Sequence, residues 1–179
     1  NDMIRLDGAV SFGKWKFDGD ADGLYTEYDE EAPIQTSYTY TLDGLFVGDQ
    51  PQTAYVLGTT LTPMAGLRIQ GIFKMYDKNY ADWSPDSREL SGDADRSQVW
   101  QAPAYNRLDL HAAYKLPKIA GYNMTVTGHL FNALDAVYVQ DAVDNSQYNG
   151  FGDKLHLAHN AEVFLGTPRY FNLGLSVNF

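Results

Sequence analysis

The sequence predicts an all-β chain: six antiparallel strands of a transmembrane β-barrel. Three observations predict it. Apolar and polar residues alternate along six segments of about ten residues each. The second face of these segments carries charged side chains. Short and long connections between the segments strictly alternate.

The alternation is cleanest at the end of the chain. Phe171, Leu173, Leu175, Val177 and Phe179 alternate with Asn172, Gly174, Ser176 and Asn178. Successive side chains of a strand point to opposite faces, so this segment separates an oily medium from a wet one. Residues 106–116 place Leu108, Leu110, Ala112, Tyr114 and Leu116 opposite Arg107, Asp109, His111 and Lys115. Residues 67–78 place Leu67, Ile69, Gly71, Phe73 and Met75 opposite Arg68, Gln70, Lys74 and Lys78, with Ile72 as the one interruption. Residues 53–61 offer Tyr55, Leu57, Thr59 and Leu61 against Ala54, Gly58 and Thr60. Residues 4–12 offer Ile4, Leu6, Gly8, Val10 and Phe12 against Arg5, Asp7 and Ser11. Residues 124–130 offer Met124, Val126, Gly128 and Leu130 against Thr125, Thr127 and His129.

The charges decide the barrel type. In a small soluble barrel the second face is core, where Arg, Asp, His and Lys are costly to bury. In a membrane barrel the apolar face meets lipid and the polar face meets a wet or plugged lumen. The alternative is a β-sandwich with its charged faces in solvent. Connection lengths argue against it. Pro63-Met64-Ala65-Gly66 and Pro117-Lys118-Ile119-Ala120-Gly121 read as tight turns, whereas residues 18–52, 82–105 and 137–168 read as long loops. Short periplasmic turns and long extracellular loops are the membrane-barrel pattern. The reading therefore puts both turns and Phe179 in the periplasm, with lipid as the partner of the apolar face. Tyr80, Trp83, Tyr105, Tyr138 and Tyr170 lie near the loop ends and are expected in the outer aromatic girdle.

Composition fits. The chain has 179 residues with 13 Tyr, 9 Phe, 3 Trp and 16 Gly. Its mean hydropathy of −0.37 suits strands that are greasy at alternate positions only. The net charge of −10 argues against nucleic acid as a partner. Cysteine is absent, which excludes disulfide and thiol chemistry. The chain opens on Asn1 without a signal-like segment. An outer-membrane protein needs one, so the N-terminal part of the parent chain is expected to be missing from this sequence or removed by cleavage.

The terminal segment, Arg169-Tyr170-Phe171-Asn172-Leu173-Gly174-Leu175-Ser176-Val177-Asn178-Phe179, resembles the assembly signal of Gram-negative outer-membrane barrels. Its signal residues would be Tyr170, Phe171, Leu173, Leu175, Val177 and Phe179. His129-Leu130-Phe131-Asn132-Ala133-Leu134-Asp135 resembles the penultimate-strand segment of TonB-dependent transporters, with His129 where that family usually has Asn. Tyr138-Val139-Gln140-Asp141-Ala142-Val143-Asp144-Asn145 and Ala161-Glu162-Val163-Phe164-Leu165-Gly166 resemble the last extracellular loop of one branch. Val47-Gly48-Asp49-Gln50-Pro51-Gln52-Thr53 is similar to a segment before a late strand in that branch.

The resemblance implies that residues 1–179 are the last six strands of a barrel of about 22 strands with a plugged lumen. It implies TonB-dependent import of a nutrient such as a siderophore, glycan or peptide across the outer membrane. The implied partners are the remaining strands and plug, TonB acting through that plug and the barrel-assembly machinery; a surface lipoprotein stays open as a further partner. A passive porin-type channel and a structural or adhesive outer-membrane protein stay open as alternatives.

Candidate chemistry is sparse. Asp18-Gly19-Asp20-Ala21-Asp22-Gly23 matches the opening of a calcium loop, with Asp29 at the twelfth position. Carboxylates two apart can converge on a hard cation. The alternative is an acidic, solvated loop, to which Glu27, Glu30 and Glu31 contribute. Asp93 and Asp95 form a second acidic pair. His156 and His159 are spaced to share a helical turn, without an evident third metal ligand. His111 and His129 are expected to line the lumen. Lys14 and Lys16 are placed to meet lipid phosphates or to snorkel at the interface. Tyr38, Tyr40, Trp83, Trp100 and Tyr148 are loop aromatics that stack on a ligand or order the loops. No nucleophile elbow and no phosphate-binding loop appears, so no enzymatic activity is expected.

Overall fold

A computed structural model describes residues 3–28, 33–83, 96–118, 121–146 and 155–178. The described chain is an all-β, predominantly antiparallel structure. Its main feature is a six-stranded sheet formed by β1 (Ile4–Phe12), β4 (Thr53–Met64), β5 (Leu67–Asp77), β8 (Tyr105–Lys115), β9 (Asn123–Phe131) and β12 (Tyr170–Asn178). These are the six alternating segments, and each pairs with the next in chain order. Among the described residues the sheet is open, with β1 and β12 as its edges. No helix among them is long and apolar enough to cross a membrane, which bears on helices alone.

Register turns six separate alternations into two continuous faces. Ile4, Leu61, Ile69, Ala112, Gly128 and Leu173 form one row across all six strands. One residue along, Arg5, Thr60, Gln70, His111, His129 and Asn172 form a row on the other side. Among the described residues nothing covers the apolar face: Phe12 is 70% exposed and Leu173 is 77% exposed. A slip of one residue in any strand would carry polar side chains into that face, charged ones in β1, β5 and β8, so the pattern itself specifies the pairing.

The turn end contains one departure from expectation. Pro63 lies within β4, at a register shift between Leu61 and Met64, rather than in the turn. Proline has no N–H for a ladder, and a bulge is where a strand accommodates it. The turn proper is Ala65-Gly66, with Gly66 at φ 83°. A β-carbon there would also lie 2.9 Å from the Lys115 carbonyl oxygen.

The long connections are more structured than the sequence reading expects. The first contains the hairpin β2 (Ala21–Tyr28) and β3 (Pro33–Tyr40). The second contains the short pair β6 (Asn79–Tyr80) and β7 (Gln101–Ala102). The third contains β10 (Val139–Asp144) and β11 (Ala161–Leu165). The hydrophobic core sits here, not in the sheet. Leu42, Leu45, Trp83 and Val99 cluster, with Phe17, Tyr40 and Tyr80 packed against them. The connections thus form a cap at one end of the sheet.

Candidate functional site

Two regions gather chemistry: the polar face near the loop end, and the cap above it. On the polar face Asp109 is almost fully buried. It accepts a hydrogen bond from Lys74 Nζ at 3.1 Å, from Arg107 at 3.4 Å and from the Asn132 backbone N–H at 3.0 Å. Two cations and one amide thus hold one buried carboxylate, as a charge on that face requires. Arg107 also donates to the Tyr138 hydroxyl at 3.0 Å. Further down the face His111 and His129 approach each other, Nδ1 to Nδ1, at 2.8 Å. A groove of about 480 Å³ runs past them, lined also by Arg68, Gln70, Phe131 and Asn172.

The end of β9 is a tight corner. Asn132 has φ 48° and Asp135 has φ 54°. Asn tolerates the left-handed region better than most residues. The buried Asn132 side chain accepts the Ala136 N–H and donates to the carbonyls of Ala136 and Thr167. The corner therefore needs this residue for its backbone angle and for its amide together.

A second corner lies before β4. The buried Gln52 side chain accepts the Trp15 N–H and donates to the Trp15 carbonyl, each at 3.0 Å. Gly48 packs on the Asp82 backbone, where a β-carbon would come within 2.7 Å. Segments singled out by resemblance thus carry corner residues whose roles are geometric.

Hydrogen bonds stitch the three connections together. Gln98 accepts the Phe46 N–H and donates to the Gly44 carbonyl. Arg96 binds both oxygens of Asp20, at 3.0 and 2.7 Å. Asp82 donates its N–H to the Ala142 carbonyl and accepts from the Asp144 N–H. Asp144 is itself buried, with His156 Nδ1 at 2.6 Å and the Ser146 hydroxyl at 2.5 Å. Burial pushes its carboxyl up, but His156 and Ser146 outweigh that and hold it at about 2. Nearby, loss of solvent, then the hydrogen-bonded Asp141 carboxyl and the charge of Asp82, raise Asp49 to about 6.

Several expected sites lie elsewhere than the sequence reading placed them. Asp20 is engaged by Arg96 and by the N–H groups of Asp43 and Leu42. The Arg96 guanidinium, then the Asp43 amide, hold it down at about 2. Asp22 sits in β2 and accepts from the Thr39 hydroxyl. Asp18 precedes the hairpin, and Asp29 lies outside the described residues. Among the described residues no three His, Cys, Asp or Glu side chains are grouped to hold a metal. His156 is held by Asp144.

The girdle needs correction. Trp83 is buried in the cap, edge-on to Phe17 at 5.6 Å between centroids. Tyr138 is buried, stacked on Tyr105 at 4.4 Å. Register puts Tyr105 on the polar side with Tyr76, and Tyr170 there too, stacked on Phe131. Tyr80 stacks on Phe46 at 4.2 Å. Proximity in sequence to a loop end does not reveal a side; parity does. Phe12 and Tyr55, in edge-to-face contact at 5.4 Å, and Phe171 are aromatics at the loop end of the apolar face.

Of the loop aromatics, Tyr40 packs on the cap core and Trp100 is half-buried. The Tyr38 side chain, Tyr148, Asp93, Asp95, Glu30, Glu31 and Phe179 lie outside what is described. Lys16 lies over the Phe46 ring at 4.4 Å, while Lys14 is exposed. The signal residues Phe171, Leu173, Leu175 and Val177 share the exposed apolar face; Tyr170 does not.

No protein-family model matches the chain. No curated protein matches it significantly either.

Proposed function

We propose that the chain is barrel wall from a TonB-dependent transporter in the outer membrane of a Gram-negative bacterium. It supplies the last six strands of a barrel of about 22, with its C-terminus in the periplasm. It has no enzymatic role. One observation carries this reading: the apolar face of the six-stranded sheet is uncovered among the described residues, while its other face holds Arg107, Lys74, Asp109 and two histidines. Lipid is the medium that makes the first arrangement favourable, and a polar lumen filled by a plug makes the second so.

The open edges fit the same reading. An unpaired strand edge in hydrocarbon costs several kcal/mol for each exposed amide or carbonyl (~2–7). Strands upstream of β1 would pair with it and with β12 to close the wall. The three stitched connections then form part of the outer surface that meets the nutrient, and TonB acts through the plug.

Fractionation of cells expressing the complete gene tests the location. The protein is expected in the outer membrane, extracted by detergent only. Recovery in the soluble fraction would end the proposal. Import that persists without TonB, in a protein that does reside in the outer membrane, would favour the passive channel instead.

A further inference from the structure

We propose that His111 and His129 form a binding site for a borderline divalent transition-metal ion, Cu²⁺ or Ni²⁺ before Zn²⁺, on the polar face of the sheet. The proposal stands on the geometry of the pair, whatever medium meets the apolar face. β8 and β9 hold the two residues directly opposite each other. Their Nδ1 atoms are 2.8 Å apart, and their rings meet edge to face at 5.0 Å.

Proximity lets the pair share an ion. At metal–nitrogen bonds of about 2.0 Å, two nitrogens are about 2.8 Å apart at a right angle and about 3.3 Å apart in a tetrahedron. The two Nδ1 atoms start 2.8 Å apart, within reach of either. Ligand type selects the ion: Cu²⁺ and Ni²⁺ take the tetragonal nitrogen and oxygen shell that two imidazoles and amide oxygens supply, and Cu²⁺ heads the affinity order. Without a metal, one imidazole must donate to the other. Rotation about the broad terminal torsion of each ring turns both lone pairs toward one ion.

Neighbours restrict the ion further. Gln70 lies opposite His111, and Asn172 lies opposite His129. Their amide oxygens and water can complete the shell. Among the described residues no carboxylate lines this groove, and Arg68 does. A hard ion such as Ca²⁺ or Mg²⁺, which needs charged oxygen ligands, is thus excluded. An ion bound through imidazole is retained. Phe131 packs against both rings and limits their motion.

Cu²⁺ titrated into the detergent-purified protein at neutral pH, followed by electron paramagnetic resonance, tests this. A tetragonal signal with hyperfine structure from two nitrogens is expected near one equivalent. His111→Asn and His129→Asn should each abolish the two-nitrogen pattern and weaken binding by more than about tenfold, since even outer-shell partners are worth that much. A second measurement needs no variant: Cu²⁺ should protect His111 and His129 of the unaltered protein from diethyl pyrocarbonate, while Ca²⁺ should not. A two-nitrogen signal that survives either substitution, or labelling of both residues at saturating Cu²⁺, overturns the proposal.

Discussion

The sheet and the cap solve opposite problems with one chain. In the cap, Leu45 is wholly buried and charges such as Lys14 lie outside. In the sheet, Leu173 and Phe171 are bare, and the near-fully buried group is the carboxylate of Asp109. The cap is organised as if water surrounds it. The sheet is organised as if water is kept to one side. A change that is neutral in one region should therefore be severe in the other.

The largest effect is expected where charge is buried. Asp109→Ala leaves Lys74 and Arg107 facing each other without their carboxylate and the Asn132 amide without its acceptor. Removing one partner of a buried ionic cluster costs about 3–5 kcal/mol, readable as a lowered thermal unfolding midpoint. Asp109→Asn should recover part of it by keeping the acceptor. In the cap, Leu45→Ala empties the centre of the core and should cost about 3 kcal/mol. Protease accessibility of the loops would report it while the sheet stays intact.

Leu173→Arg inverts the test. A lipid-facing arginine costs about 2–4 kcal/mol at the bilayer midplane, seen as poor assembly. Were water against this face, the same change would be neutral and would improve solubility. That result would abolish the contrast between the two regions.

The smallest effect is a pH dependence confined to the cap. Asp49 titrates at about 6, above the unfolded value of about 3.9. The folded cap therefore holds more protons at this site through that window, and stability falls as pH rises across it. Asp144, depressed to about 2, behaves oppositely: its contribution is complete above about 4 and is lost as pH falls toward its folded value. Asp49→Asn should flatten the loop-unfolding midpoint between the unfolded value of about 3.9 and about 6. A slope unchanged by the substitution would remove Asp49 as its cause.

Period-two patterning makes the sheet legible from sequence. Val10, Leu57, Phe73, Leu110, Val126 and Leu175 announce their side without help from distant residues, and strand ends fall within a few positions of those expected. The cap has no such period. Leu42, Leu45, Trp83 and Val99 meet through folding of separate connections, and nothing local marks them as core. The hairpin of β2 and β3 was hidden because Asp20 and Asp22 read as ion ligands, while their oxygens serve Arg96, backbone amides and Thr39. The histidine pair was visible as two polar positions but not as neighbours, since that required the register of β8 and β9.

Parity across β12 has one more consequence. From Tyr170 to Asn178 the chain counts in twos, and the corner at Asn132 sets where the count begins through its bond to Thr167. Deleting a single residue between Thr167 and Tyr170 would present Asn172, Gly174 and Ser176 on the apolar face while leaving composition almost untouched. An insertion of two residues into the unaltered junction would instead keep every side chain on its side, so tolerance there should depend on whether the net change is odd or even.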